Sequence, residues 1–222
     1  MDARAIGGGA GEIWTIGHWT CPEDAFIRSL QGPGIQLLAD VRSQPGSRRN
    51  PQFGQEAMRG WLRRAGIGYA HLPKLGGRRG RQPVDPAVNA GWRQPSFKNY
   101  ADYTLLPAYE EGIRQLAELA TAQRVAIICG EPLPWRCHRL LIANTLAARA
   151  WTVWHIIGAR EPRLHQLGRW GAAPLIDARG RLTYPPPAQV IQPDRDPGLP
   201  EPGLPEPGLP EPGNRVCHHT SR

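Results

Sequence analysis

The sequence predicts an α/β domain built as three layers, a mostly parallel, doubly wound sheet of about five strands with helices on both faces. Three observations predict it. Short apolar runs recur along the chain, segments of helical periodicity separate them, and the runs hardly alternate apolar with polar residues. That last property belongs to strands covered on both faces.

The first run, Ile13 to Ile16, ends in Gly17 and His18. Thr20 and Glu23 then stand at the spacing of a capping box, with Pro22 at the start of a helix of about ten residues. Ile35 to Arg42 is the second strand, and Ser43 to Ser47 is turn chemistry. Met58, Trp61, Leu62 and Ala65 mark a helix over Gln55 to Ala65, closed by Gly66, and Ile67 to Leu72 is the third strand.

Pro73 to Pro95 is Gly/Pro/Arg-rich and aperiodic, and a loop this long that leaves a strand end is read as functional. Tyr100 to Gln123 is helical with a restart at Pro107, Arg124 to Cys129 is the fourth strand, Cys137 to Ala150 a helix and Thr152 to Ile157 the fifth strand. Residues 1–11 are read as a flexible lead, 12–170 as the domain, and 171–222 as a low-complexity tail in which Gly-Leu-Pro-Glu-Pro is repeated.

No apolar run approaches the roughly 20 residues that span a bilayer, so no membrane partner is expected. Met1 to Gly11 has no apolar stretch of the secretory kind, and four scattered cysteines make no disulfide framework, so the expected compartment is the reducing cytoplasm. The net charge is +8, and it is uneven: Arg42 to Arg93 holds ten arginines and Lys74 against Glu56 and Asp85. Such a local excess favours a phosphate-bearing partner, a nucleotide or a nucleic acid.

Ligands of an open parallel sheet bind beyond the carboxyl ends of its strands. Those ends deliver His18, then Asp40 and Arg42, then His71, then Cys129 and Glu131, then His155, and the following helix adds Cys137, His138 and Arg139 at its first turn. Several of these have plain structural readings. Asp40 and Arg42 are two apart on one strand face and suit an ion pair, and His155 inside an apolar strand suits a hydrogen-bonded core histidine.

The segments Thr15 to His18, Asp40 to Arg42 with Pro45 and Ser47, Leu75 to Gly77, Phe97 with Tyr100 and Ala101, and Cys129 to Glu131 followed by Cys137 to Arg139 resemble, in order, the family called domain of unknown function 488. The resemblance runs from about Ile13 to Ile157. It implies a parallel α/β fold and a cluster of His18, Asp40, Arg42, Glu131, Cys137, His138 and Arg139, and it implies no particular reaction.

The reaction is read from chemistry. The expected activity is hydrolysis or transfer on a nucleotide or nucleic-acid substrate, with N-glycosidic cleavage preferred. Glu131 and Asp40 would activate water or stabilise a ribosyl cation, His18 or His138 would donate a proton, and Arg42 and Arg139, with Ser47 and Cys137, would hold the phosphate. Trp19, Trp92 and Trp135 are candidate base-stacking residues.

A second reading makes Cys129 or Cys137 a nucleophile, as in the similar loops of cysteine phosphatases and rhodaneses. Against it, Cys129 and Arg136 stand one residue too far apart, and Pro132 and Pro134 lack the N–H groups that would cradle an anion. A third collects Cys129, Cys137, His138 and His155 as metal donors, against which neighbouring residues of a helix point apart. No metal or other cofactor is therefore expected. The alternative without catalysis is a basic module that binds DNA or RNA.

Overall fold

The computed structural model describes residues 11–46 and 49–187. Its strands are β1 (Glu12–Gly17), β2 (Leu37–Asp40), β3 (Gly68–His71), β4 (Val125–Cys129) and β5 (Thr152–Ile156), all parallel, and the short antiparallel β6 (Arg163–Leu164). The sheet runs in the order β3-β2-β4-β1-β5-β6. Five α-helices accompany it: α1 (Glu23–Gln31), α2 (Gln55–Arg64), α3 (Pro95–Tyr103), α4 (Pro107–Ala122) and α5 (Arg139–Ala148).

Successive residues of the central strands serve opposite cores, which is why their sequence does not alternate. Ile13 of β1 and Val125 and Ile127 of β4 join a core with α4 and α5, through Ile113, Leu116, Leu140 and Leu146. Trp14, Ile16, Ala126 and Ile128 join a second core with Phe26 and Leu30 of α1 and Met58, Trp61 and Leu62 of α2.

This division positions the site. β4 lies between β1 and β2, whose connections leave toward the α1 and α2 face, while its own leaves toward α5. Chains diverging from neighbouring strands open a crevice at their carboxyl ends.

Several local expectations change. Thr20 and Glu23 form no capping box, because α1 begins at Glu23 with Pro22 as its N-cap and no side-chain cap. Cys137 and His138 do not lie on the helix: Pro134–Arg136 is a 3₁₀ turn, Cys137 is extended, and α5 starts at Arg139. The domain also runs past residue 170. A hairpin of β7 (Leu175–Ile176) and β8 (Leu182–Thr183) leads to Tyr184, which is buried and whose backbone N–H and carbonyl bond Asn89 and Gly91. The folded unit therefore ends at Pro186. Residues 1–10 of the expected lead, Ser47, and the repeats of the tail lie outside the described residues.

Candidate active site

At the crevice lies a cavity of about 450 Å³, lined by the ends of β1, β2 and β4, by the loops that follow them, and by α3. Gly17 makes the crossing at β1 feasible: a Cβ there would overlap the Glu131 carbonyl oxygen, so only glycine lets the loop after β4 pass over the end of β1.

Around β2 the polar groups are fully engaged. Asp40 is sealed from solvent and accepts from the Arg42 backbone N–H, from Arg42 Nε (2.9 Å) and Nη2 (2.6 Å), and from the Tyr69 hydroxyl (2.9 Å). The remaining Arg42 donors go to the Phe53 carbonyl, Met58 Sδ and His18 Nε2. With every guanidinium N–H used and its charge neutralised, Arg42 is a strut in the cavity wall and not a free phosphate anchor. Asp40 does not reach the cavity.

His18 stacks on Phe53 at 4.3 Å. Its Nδ1 donates to the Trp19 carbonyl, which can only accept, so Nε2 is the lone pair that faces Arg42. Burial, with a smaller push from Arg42, lowers its pKa to about 4 despite the carbonyl bond. The ring is thus neutral near pH 7 and is not the proton donor expected of it. His71 is likewise engaged, donating from Nε2 to the Arg42 carbonyl.

Around β4 the inventory is different. Cys129, Glu131, Cys137 and His138 all line the cavity, and Glu131 is the only carboxylate in its described wall. No hydrogen bond or ion pair engages the Glu131 carboxylate among the described residues. His138 Nε2 donates to the Val41 carbonyl at 3.0 Å, which leaves the Nδ1 lone pair facing the sulfurs of Cys137 and Cys129 at 3.5 and 4.0 Å. The Nε2–H of His138 is therefore held by a carbonyl and not turned to a substrate.

Arg139 is 0% exposed and outside the cavity wall. It donates to the Glu131 carbonyl and, from Nε, to Cys137 Sγ at 3.5 Å; it has no carboxylate partner among the described residues, and its Nη1 is unbonded. A buried guanidinium without a carboxylate is costly, and a thiolate is the one anion within its reach. Burial acts to raise the Cys137 thiol, but the bond it accepts from the Cys129 thiol and the charge of Arg139 lower it well below the usual range. The same bond to Cys137, together with burial, pushes Cys129 well above it.

The cavity wall's exposed cations are Arg78 and Arg136, in place of Arg42 and Arg139. Arg78 follows the Gly-Gly pair of the long loop, held down by its backbone N–H on Ser43 Oγ. Arg79 of the same loop is structural: it braces the carbonyls of Pro73, Lys74 and Gly76 and lies 3.8 Å over the Tyr103 ring. The aromatic wall is Phe97 and Tyr100, whereas Trp92 packs on Phe97, Trp135 on Trp170, and Trp19 is exposed outside the cavity.

In the loop after β4 the N–H groups of Arg136 and Cys137 are used by the carbonyls of Leu133 and Pro134. His155 leaves the rim altogether. It is sealed in a chain of bonds in which Thr15 donates to His155, His155 to His165, and His165 to Asn144, whose amide donates to Tyr184.

The family model for the domain of unknown function DUF488 matches residues 23–146, more than half of the chain and all of the cluster except His18. The chain belongs to the DUF488 family. Neither a curated protein nor a solved structure gives a significant match. No helix among the described residues is long and apolar enough to cross a membrane.

Proposed function

We propose that this chain is an enzyme that hydrolyses or transfers groups on a phosphate-bearing, nucleotide-like substrate, with N-glycosidic cleavage as the reaction. One observation carries the reading: the sole carboxylate of the described cavity wall, Glu131, is unpaired, in a wall that also exposes Arg78 and Arg136. The two guanidinium groups hold phosphate, and Phe97 and Tyr100 flank the base.

Glu131 takes a proton from the attacking water and returns it to the departing nitrogen, so that the C–N bond breaks as C–O forms. That sequence needs no proton from His18 or His138, whose N–H groups are held by carbonyls. The unbridged Cys129 and Cys137 suit work in a reducing cytoplasm.

The test is a screen of nucleotides, nucleosides and modified-base oligonucleotides, followed by Glu131→Gln. Turnover should fall by about 10²–10⁴-fold while nucleotide affinity changes little. A variant as active as the parent would end this reading. A nucleic-acid affinity that drops steeply with salt and ignores Glu131, with no turnover on any substrate, would replace it by the binding module.

A further inference from the structure

We propose that Cys129, Cys137 and His138 form a site for one zinc-type divalent ion, with three protein ligands and a fourth position open to the cavity. The two sulfurs and the imidazole Nδ1 lie within 4.8 Å of one another. Tetrahedral zinc, with bonds of about 2.3 Å to sulfur and about 2.0 Å to nitrogen, sets its donors about 3.5–3.8 Å apart. The imidazole nitrogen already stands 3.5 and 4.0 Å from the two sulfurs, and the sulfurs, within 4.8 Å of each other, need to close by about 1 Å at most.

The neighbours of the three donors are those a metal needs. The Val41 carbonyl fixes the His138 tautomer, so that the free lone pair points at the sulfurs and the N–H away from them. Arg139 donates from Nε to Cys137 Sγ at 3.5 Å and so orients the sulfur. Because Cys137 precedes α5 in extended conformation while His138 caps the helix, the two adjacent side chains converge, which they could not do within a helix.

On binding, any proton still held by the two sulfurs passes to solvent, each sulfur donates a lone pair, and no electron is transferred. Three of the four tetrahedral positions are then filled from the protein, and the last faces the space where water or substrate enters. The set of two cysteines and one histidine with an open position is that of catalytic rather than structural zinc. A contribution of the ion to turnover rests on the hydrolytic reading above; its binding does not.

The experiment uses the full chain, reduced, stripped with chelator and free of substrate. Cobalt(II) titration should give saturable binding at one ion per chain, with sulfur-to-cobalt charge-transfer absorption and the intense visible bands of tetrahedral cobalt, both abolished by equimolar zinc. Cys129→Ser and Cys137→Ser should each weaken binding by about 100-fold or more. Alkylation of the unsubstituted protein covers the case where a variant does not fold: zinc should shield Cys129 and Cys137 and leave Cys21 as reactive as before.

Absence of sulfur-to-cobalt bands, an octahedral spectrum, or unshielded Cys129 and Cys137 would overturn the site. Turnover that survives in metal-free protein leaves the functional reading standing and removes the ion from it. Stoichiometric binding without turnover on any nucleotide leaves the site standing and removes that reading instead.

Discussion

Around the end of β2, Asp40, Arg42, Tyr69 and His18 satisfy one another, whereas around the end of β4 the Glu131 carboxylate has no partner among the described residues and His138 Nδ1 meets only the two cysteine sulfurs. Both halves contain an acid, a guanidinium and a histidine. What separates scaffold from chemistry is the number of unused donors and acceptors, and residue type alone does not reveal it. The closed half gives the cavity a rigid wall, and the open half supplies the groups that can react.

Acidification tests hardest the closed side's His18 and, with it, the sealed pair His155 and His165. Burial lowers His18 to about 4, His155 to about 3 and His165 to about 4, from an ordinary value of 6.5. The unfolded chain thus binds more protons than the native one between these values, so stability is complete above pH 6.5 and declines as the pH falls toward 4. Each histidine should remove about 1–2 kcal/mol by pH 5, read as a falling urea midpoint. A midpoint unchanged from pH 7 to pH 5 would mean that these rings are open to water.

Asp40→Ala comes next, because it strands a buried guanidinium. It should cost about 3–5 kcal/mol in equilibrium unfolding. A stable Asp40→Ala protein that had lost turnover would instead move Asp40 into the chemistry and dissolve the distinction between the halves.

Gly77→Ala sharpens the open side. A Cβ at Gly77 would overlap the His138 ring, so the ring must shift, at a cost of about 1–3 kcal/mol. The alkylation rate of Cys137 should change in the same variant, since His138 lies 3.5 Å from its sulfur. The smallest effects belong to Arg78→Ala and Arg136→Ala, each raising KM about tenfold, or ~1.4 kcal/mol, with kcat nearly constant. Equal losses in Arg42→Lys without destabilisation would return the anchor role to Arg42.

Much of the fold could be read directly. Runs such as Ile13 to Ile16 and Val125 to Cys129 are apolar on both faces because each face meets its own core, and this mark survives in one dimension. The packing of residues 171–184 could not be read, since β7 and β8 have two residues each and too little length for periodicity. Their tie to the domain runs through Tyr184 and Asn89, which are far apart in the chain.

For the site, the strand-end rule pointed to His18, Arg42, Cys129 and Glu131, which line the cavity, and misplaced Asp40, sealed behind Arg42, and His155, whose side chain turns inward from β5 to Thr15 and His165. Arg78 was visible only as one of many arginines in a long loop. Phe97 and Tyr100 stood in the motifs but were passed over for tryptophans that pack on other aromatics.

The order of apolar runs and turns along this chain determined that five parallel strands would end at one rim and bring Glu131, His18, His138, Cys129 and Cys137 there. Only the tertiary structure decided which of them remain free to act. A carboxylate or guanidinium becomes structural or reactive according to the partners within hydrogen-bonding distance, and here those partners, such as Phe53 for Arg42 and Val41 for His138, come from other parts of the chain.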